Sequence, residues 1–447
     1  MASTYLTRTF SSSGTSDKIW TWSSWIKRSE VTGEAAILTA GSSARDFIRF
    51  EASTTIGALR VRFSNGSADV TTNRRFRDTS GWYHLVVAVD TTQATASNRI
   101  KIYINGVQET SFSSSSYPSQ NYVTKIGGGY VHNIGNDSEQ TVPYFDGSMS
   151  HVHFIDGTAY DASAFGEYDA NGVWKIKTSP SVTYGTNGFF ILKDGNSVTD
   201  QSGNSNNWTV VGGTLTKTED NPSNVFATMN PLNVPTSNAP TFSNGNTKVV
   251  TSTGGNFGGS SNLGASSGKY YFEIKFTAES SSNMGNISLS SSSNARESAR
   301  TNQHSNQVGA SFPNLCYEYD GNVYKDSGGS QGSFGTYGTG DIIMIAMDLD
   351  NQKAYFGKNG TWGNSGDPTS GSTGTGAATL SANSDFWHLA LGDRNSSATA
   401  TYEVNFGNGY FGSTQISSAG TNASGNGIFE YDVPTGYTAL STKGLNL

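Results

Sequence analysis

The sequence is short of cysteine and of charge. Cys316 is the only cysteine among 447 residues, so a disulfide within one chain is excluded. Charged residues make up 14% of the chain, against a usual value of about 25%. A net charge of −7 together with 12% aromatic residues does not fit a charge-rich disordered chain. The same charge balance offers no basic footprint, so we predict no nucleic-acid partner.

Long hydrophobic runs are missing as well. The longest apolar stretches, such as Ile342 to Met347, have the length of a strand and fall far below the roughly 20 residues of a membrane-spanning helix. The stretch from Met1 to Phe10 contains no apolar run fit for a signal peptide. We therefore predict no membrane insertion and expect synthesis in a reducing cytoplasm.

Turn formers and strand-compatible polar residues are abundant. The chain has 53 glycines and is rich in Ser, Thr and Asn, which favour turns and strands over helices. The run from Gly81 to Asp90 is apolar on both faces, which predicts a central strand. The run from Ile100 to Ile104 alternates in polarity and ends at Asn105-Gly106, a strong tight-turn signal. Gly340 to Asp350 and Ala354 to Gly360 repeat this strand-turn-strand pattern. An all-β fold follows.

The length predicts more than one domain, since a single core rarely grows past about 250 residues. Pro222, Pro231, Pro235 and Pro240 punctuate one segment and suggest a stiff, extended linker. We predict two antiparallel β-sandwich (jelly-roll) domains joined by a Pro-rich linker. The predicted boundaries are 1–221 for the first sandwich, 222–241 for the linker, 242–411 for the second sandwich, and 412–447 for a tail that packs on the domain or on a neighbour.

Residues 1 to about 220 resemble a laminin-G-like, concanavalin A-type jelly roll. The motifs that carry the resemblance are Trp20–Arg28, Gly81–Asp90, Ile102–Val107 and Asp146–Gly157. The extended version is similar to virion proteins of tailed bacteriophages, through the runs Phe165–Glu167, Gly172–Trp174, Tyr184–Phe189, Asp200–Trp208 and Asn221–Phe226. This resemblance implies a virion component.

Residues 242 to 411 resemble a SPRY domain. The carrying motifs are Gly268–Glu273, Gly340–Ile343, Met347–Asp350 and Phe356–Trp362. SPRY modules are bent β-sandwiches, and the resemblance implies partner binding through loops at one edge. The run from Pro434 to Leu440 is again similar to phage proteins that carry this module.

Aspartates followed by glycine raise the question of calcium. Asp146-Gly147 and Asp156-Gly157, with Asp137 nearby, are candidate calcium ligands, and laminin-G-like modules often place this ion at the sandwich rim. The alternative, which we favour, is that Asp-Gly is turn chemistry. His151 and His153 share one face of a predicted strand, and we interpret them as hydrogen-bonded strand residues. No cofactor is therefore predicted, with calcium as the alternative.

Motifs for catalysis are not found. The sequence contains no Gly-x-Ser-x-Gly elbow, phosphate loop or His-Glu-x-x-His. Asp348 and Asp350 have the spacing of paired acids on one strand, but the SPRY resemblance places them where a strand enters a turn. We expect that the chain is not an enzyme.

Aromatic residues in loops rich in Gly, Ser and Asn are the better candidates for ligand contact. An aromatic face stacks on the C–H surface of a sugar while neighbouring amides bind its hydroxyls. The predicted binding residues are Tyr117, Tyr122, Tyr130, His132, Tyr324, Tyr337 and Trp362. The alternative is that each ring anchors its own loop.

The sequence thus predicts a non-enzymatic virion surface protein of the fibre or adhesin type that binds a host-surface glycan or protein. The first alternative is a capsid or tail decoration subunit that binds other virion proteins, and the second is a polysaccharide-degrading enzyme. The expected location is the virion surface after synthesis in the host bacterial cytoplasm. A homo-oligomer is expected, because multivalency raises the avidity of weak contacts.

Overall fold

The computed structural model describes residues 4–52, 55–137, 144–235, 237–254, 257–281, 285–291, 314–325, 329–382, 385–393 and 397–446. Within these residues the chain is built from strands, and its only helical elements are short 3-10 turns at Ser64–Gly66, Ala96–Asn98, Ala162–Ala164, Gly363–Ser365, Gly371–Thr373 and Gly444–Asn446. The all-β prediction is confirmed. No helix in the described part of the chain is long and apolar enough to span a membrane. The chain divides into two compact units, Met1–Lys217 and Thr218–Leu447.

Unit 1 is a sandwich of two antiparallel sheets. Its strands are β1 (Tyr5–Thr9), β2 (Ile19–Arg28), β3 (Ala35–Ala40), β4 (Asp46–Phe50), β5 (Ala58–Phe63), β6 (Ala68–Arg75), β7 (Tyr83–Asp90), β8 (Ile100–Ile104), β9 (Val107–Gln108), β10 (Phe112–Ser116), β11 (Val131–Ile134), β12 (Gly147–Asp156), β13 (Gly166–Tyr168), β14 (Trp174–Ile176), β15 (Phe189–Ile191) and β16 (Thr209–Val211). Sheet A has the order β10-β6-β5-β4-β3-β11-β1-β16, and sheet B the order β15-β12-β2-β7-β8-β9.

The core of unit 1 lies between sheets A and B. Side chains alternate between the two faces of a strand, so Trp20 and Trp22 of β2 both point inward and are fully buried. Trp20 contacts Phe63 of β5 in sheet A and Phe154 of β12 in sheet B, and Trp22 contacts Phe189 of β15.

The outer face of sheet B carries a second apolar layer. The hairpin β13-β14 and its flanking residues cover Val86 and Ile155, and Phe165 is buried in this layer. Sheet B is therefore apolar on both faces, as the run from Gly81 to Asp90 predicts, and this leaves the outer face of sheet A as the polar face of the sandwich.

Unit 2 also contains two large sheets. Its strands are β17 (Thr241–Ser243), β18 (Lys248–Val250), β19 (Phe257–Ser260), β20 (Lys269–Glu279), β21 (Gly285–Ser291), β22 (Asn314–Glu318), β23 (Asn322–Lys325), β24 (Ser330–Ser333), β25 (Ile342–Asp348), β26 (Lys353–Lys358), β27 (Thr361–Trp362), β28 (Ala378–Thr379), β29 (Trp387–Asp393), β30 (Ala400–Asn405), β31 (Tyr410–Phe411), β32 (Thr414–Gln415) and β33 (Thr438–Ala439). Sheet C follows β17-β18-β30-β20-β25-β26-β27, with β28 added on β26 and β33 on β20. Sheet D follows β19-β29-β21-β22-β23-β24.

Both units contain the predicted Asn-Gly turn. The Asn105 backbone N–H donates to the carbonyl of His84, and its side-chain oxygen accepts from the His84 N–H at 2.8 Å. Asn359 makes the same pair of bonds with Ile342. Both asparagines have a φ of 49°, and the glycine that follows each of them also has a positive φ, as this type of two-residue turn requires.

The segment 222–241 differs from the predicted linker. Phe226, Ala227 and Met229 are buried in unit 2, and the Ala227 N–H donates to the carbonyl of Leu440 at 2.9 Å. The reason is that the apolar residues between the prolines find partners in strands far along the chain. The tail 412–447 packs on the same unit, where β33 pairs parallel with β20.

Candidate functional site

A polar groove lies on the outer face of sheet A in unit 1. In β5, Leu59, Val61 and Phe63 point into the core, so Arg60 is turned outward. In β6, Val70 faces the core and its neighbours Asp69 and Thr71 face solvent in the same way. The groove is lined by Glu51, Thr55, Arg60, Asp69, Thr71, Ser113 and Ser114, which come from β5, β6, β10 and the segment after β4, and we call it the Arg60 groove.

An ion-pair network forms the floor of the groove. The Arg60 guanidinium binds Asp69 through two bonds, from Nε to Oδ1 at 2.8 Å and from Nη2 to Oδ2 at 2.5 Å. Its Nη1 donates to Glu51 Oε1 at 3.2 Å. Glu51 Oε1 also accepts from Arg49 Nε at 2.7 Å, and Arg49 reaches Glu34 at 3.4 Å. Because each guanidinium is held by two carboxylates, the network is rigid.

The groove still has hydrogen-bonding capacity. Its volume is about 340 Å³, at the small end of the roughly 300–1,000 Å³ typical of ligand pockets. Glu51 Oε2 has no partner among the described residues, and each Arg60 Nη retains an N–H after its one bond. The hydroxyls of Ser113 and Ser114 donate to backbone carbonyls and remain able to accept.

The electrostatics of the groove are nearly balanced. Three carboxylates, from Glu34, Glu51 and Asp69, stand against the guanidinium groups of Arg49 and Arg60. The hydrogen bond to Asp69 raises the pKa of Arg60 above its usual value. A site with fixed charges of both signs, and with serine hydroxyls that can still accept, suits an uncharged, hydroxyl-rich ligand better than an ion.

The loop aromatics predicted in unit 1 lie in varied environments. Tyr117 follows β10 directly and is half-buried, as is Tyr122, whose ring stacks on Phe63 at 5.9 Å. Tyr130 is exposed, with the Lys125 ammonium 5.4 Å from its ring centroid. The three tyrosines therefore stay candidates for ligand contact.

His132 is buried and does not reach solvent. Its Nε2 accepts from the Gly127 N–H at 3.0 Å, so its Nδ1 carries the proton and donates to the Tyr130 carbonyl. Burial lowers the pKa of His132 to about 4. The structure gives this ring a packing role in place of the predicted contact role.

The aromatics predicted in unit 2 are mostly enclosed. Tyr337 is buried, and its hydroxyl donates to the Tyr317 carbonyl at 3.1 Å, so it too packs in the core instead of contacting a ligand. Trp362 is half-buried and lies edge-on to Tyr271 at 6.3 Å. Tyr324 is half-buried on β23.

The three candidate calcium ligands have separate roles. Asp156 accepts from the backbone N–H groups of Thr15, Ser16 and Asn187 at 2.6–2.8 Å. Asp137 pairs with Arg45 at 2.6 Å, and Asp146 is exposed. Among the residues that the structure describes, no three His, Cys, Asp or Glu side chains gather as a metal site would require. Calcium binding stays a prediction without a geometry to support it.

A buried serine–histidine pair in unit 1 was not anticipated from the sequence. Ser23 Oγ lies 2.9 Å from His84 Nε2, while the Trp174 indole N–H donates to His84 Nδ1 at 3.0 Å. Because Nδ1 accepts, the proton sits on Nε2 and points at Ser23. A general base needs the opposite tautomer. Burial lowers the pKa of His84 to about 3, and the pair fixes the hairpin β13-β14 rather than activating a nucleophile.

The paired aspartates of unit 2 are structural. Asp348 is fully buried and binds Lys269 at 2.9 Å and the Asn351 amide at 2.8 Å. Asp350 accepts from the Gly268 N–H at 2.7 Å and so closes the turn beside β20. Both aspartates serve the turn in which the sequence resemblance places them.

Most of unit 1 is similar to a known protein family. Residues 2–163 match the family model of the concanavalin A-like lectin/glucanases superfamily, and this range contains every residue that lines the Arg60 groove. No curated protein matches the chain.

Solved structures with a similar chain path have low identity. The SPRY domain of human HERC1 is 17% identical over 35% of this chain and 87% of that one, with a TM-score of 0.27. A heptameric SAP-like pentraxin from Limulus polyphemus is 13% identical over 36% and 72% of the two chains, with a TM-score of 0.27. Domain 4 of the arabinanase AbnA from Geobacillus stearothermophilus, solved with arabinotriose, is 19% identical over 32% and 63%, with a TM-score of 0.25. The family match is therefore the specific result, and it covers residues 2–163 of unit 1, about a third of the chain.

Proposed function

We propose that the chain is a non-catalytic surface protein of a tailed-bacteriophage virion that binds a neutral glycan of the host surface through the Arg60 groove. The observation that carries the proposal is the groove itself: a small site of fixed, nearly balanced charge whose serine hydroxyls can still accept, inside the part of the chain that matches a lectin and glucanase superfamily model. The virion assignment rests on the motif resemblance of the sequence.

The groove matches the chemistry of a sugar hydroxyl. A hydroxyl both donates and accepts, so it bridges an acceptor such as Glu51 Oε2 and a donor such as a remaining Arg60 N–H. Adjacent hydroxyls of one ring find both kinds of partner in the groove. Because the guanidinium and the carboxylates already hold one another, binding needs little ordering of side chains, which lowers its entropic cost.

The bonds already made by the carboxylates of the groove favour sugar binding over hydrolysis of a sugar. Glycoside hydrolysis uses one carboxyl as a proton donor and a second as nucleophile or base. Both oxygens of Asp69 are bonded to Arg60, and Glu51 is bonded to two guanidinium groups. Neither residue has the apolar surroundings that keep a catalytic carboxyl protonated. We propose that neither acts as a catalytic acid.

The proposal is tested by titrating the full chain with soluble gluco-, galacto- and manno-oligosaccharides in a calorimeter. Arg60→Ala removes the centre of the groove, and we expect at least a tenfold loss of affinity, on the order of 1.4 kcal/mol. Arg62→Ala is the matched control, because Arg62 lies on the same strand and face without an ion-pair partner among the described residues. Equal affinity of wild type and Arg60→Ala would overturn the groove assignment.

Two further measurements separate the competing functions. Incubation with host-envelope polysaccharide should release no reducing ends, and release that is lost in Asp69→Asn would establish an enzyme instead. Antibodies against the chain should label phage particles in immunogold electron microscopy, and unlabelled particles would contradict the virion assignment. If the particles are labelled but the purified protein binds no sugar, the result would favour the function of a capsid or tail decoration subunit.

A further inference from the structure

Unit 1 exposes a second site, on the opposite side of the sandwich from the Arg60 groove. The hairpin β13-β14 covers the outer face of sheet B, and Tyr168 and Trp174 are directly paired across it. Their ring centroids are 4.8 Å apart at an interplanar angle of 68°, so the two rings form a corner. The residues of the corner lie beyond residue 163, outside the range matched by the family model.

The indole of Trp174 is held in a fixed position. Its N–H donates to His84 Nδ1, and its face lies against Gly106 and Gly166, where an added Cβ would come within 2.5 Å and 2.4 Å of the ring. His84 is itself stacked on Trp25 at 4.9 Å. The corner therefore stands on a packed aromatic layer, and it needs no rearrangement to receive a ligand.

The ring of Tyr168 is open to solvent. It is 52% exposed although it lies edge-on to Trp174, and its hydroxyl donates to the Asn105 carbonyl at 3.3 Å. Among the residues of unit 1 that the structure describes, six large apolar ones are exposed, and three of them, Val107, Tyr168 and Val173, belong to this hairpin or to the turn beneath it. An aromatic face that a protein holds rigidly in water, with an apolar surround, is typical of a stacking surface.

A polar group lies beside the open ring. Asn105, whose carbonyl accepts from the Tyr168 hydroxyl, uses its side-chain oxygen for His84, which leaves its exposed amide N–H₂ as a free donor. Asp169 and Lys175 alternate with Tyr168 and Trp174 along the hairpin and so lie on its other face, where their charged groups are 3.7 Å apart. An aromatic face with a hydrogen-bond donor beside it is the complement of a pyranose, whose C–H face is apolar and whose rim carries hydroxyls.

We infer that the Tyr168–Trp174 corner is a second carbohydrate-binding site, which takes one pyranose ring stacked on Tyr168. The inference extends the proposed glycan-binding function but rests on different residues. A sandwich with one sugar site on each side binds two chains of a polysaccharide at once, so unit 1 is bivalent.

Calorimetry and saturation-transfer NMR with the same neutral oligosaccharides test the inference on the full chain. Wild type should bind two sugars per chain, and Tyr168→Ala and Arg60→Ala should each bind one. Tyr168→Phe keeps the aromatic face and should retain the second site, while Val123→Ala truncates another exposed apolar side chain of unit 1 and should change nothing. Light scattering and thermal melting of each variant check that mass and fold are unaltered.

The outcomes separate the two sites. One sugar per wild-type chain, lost in Arg60→Ala and kept in Tyr168→Ala, overturns the second site and leaves the groove. One sugar lost only in Tyr168→Ala supports the second site and overturns the groove. No binding by wild type overturns both. A dimeric wild type that becomes monomeric in Tyr168→Ala with unchanged sugar binding would identify the corner as a contact between copies, against the inference.

Discussion

Raising the pH from about 5 to about 8 should loosen one segment of unit 2, because a buried carboxyl holds it in place. Glu273 of β20 is fully buried and accepts four hydrogen bonds: from the backbone N–H groups of Glu430 and Tyr431 at 2.9 Å each, from the Tyr271 hydroxyl at 2.9 Å, and from the Asn405 amide at 3.3 Å. Residues 430 and 431 belong to the C-terminal segment that covers the outer face of sheet C around Tyr271 and Phe429. The carboxyl therefore links the segment to the sheet.

The sign of the pH effect follows from the direction of the pKa change. Burial raises the pKa of Glu273 from 4.5 to about 7, more than its hydrogen bonds lower it. The folded state thus holds the proton more tightly than the open state, and the stabilisation is complete below about pH 4.5 and lost as the pH rises through about 7. The two pKa values differ by about 2.5, and each pKa unit corresponds to about 1.4 kcal/mol, so the complete loss lies between about 3 and 4 kcal/mol.

Hydrogen exchange of the peptide that contains Glu430 and Tyr431 is the appropriate assay. Burial lowers the pKa of His84, His132 and His151 in unit 1, so unit 1 gains stability with rising pH and a global melting curve would mix opposite effects. After correction for intrinsic exchange, protection of this peptide should fall on the order of 100-fold between about pH 5 and about pH 8.

Two variants decide whether Glu273 is responsible. Glu273→Gln should abolish the pH dependence, because no titrating group then links the segment to the sheet. Glu403→Gln, in the neighbouring strand β30, should preserve it, since Glu403 pairs with Lys248 near the surface. The reasoning fails if Glu273→Gln shows the wild-type pH dependence.

Two further predictions concern unit 1. Gly106 and Gly172 both have positive φ, but an added Cβ would lie 2.5 Å from Trp174 at Gly106 and would meet nothing within 4 Å at Gly172. In denaturant titrations, Gly106→Ala should therefore lower the free energy of unfolding by about 3 kcal/mol and Gly172→Ala by about 1 kcal/mol. Equal losses would contradict the packing of Trp174. The Arg28 guanidinium is buried over Phe50 with one hydrogen bond, to the Phe76 carbonyl, and its Nε and Nη2 lack partners in the described part of the chain. Arg28→Met should leave stability unchanged or raise it by about 1 kcal/mol, because a buried charge whose donors are only partly satisfied is costly, and a loss above about 2 kcal/mol would show that the charge is needed.

Local patterns predicted the strands and the tight turns well. The hydrogen bonds of the Asn105 and Asn359 turns join residues about twenty positions apart, so local composition and alternation are enough to predict these turns. The prolines of segment 222–241 are local signals and predict a linker. The burial of Phe226 and Met229 depends instead on partners as distant as Ser441. Such long-range pairing leaves no periodicity in the sequence.

The candidate sites were harder to predict than the fold. Glu51, Arg60, Asp69 and Ser113 come from four places in the chain, and only the pairing of β5 with β4 and of β6 with β5 and β10 brings them together. The alternating runs of the sequence show that Arg60 and Asp69 point outward. They do not show that the two side chains bond to each other. The composition of a loop does not show how deeply its aromatic residues are buried, so rings such as His132 and Tyr337 cannot be distinguished from the exposed Tyr130 by sequence alone.

The pairing of Ala227 with Leu440 has a consequence for synthesis on the ribosome. Unit 2 places residues from its beginning beside residues more than two hundred positions later, and β33 lies parallel against β20. Until Tyr437 and Leu440 leave the exit tunnel, the apolar surface around Phe226 and Tyr271 stays uncovered. Unit 1 can complete its sandwich before Leu440 is translated, whereas unit 2 closes only after it. Products that terminate before Leu440 would expose this surface to proteases, which favours incorporation of copies that contain the closing residues into any assembly.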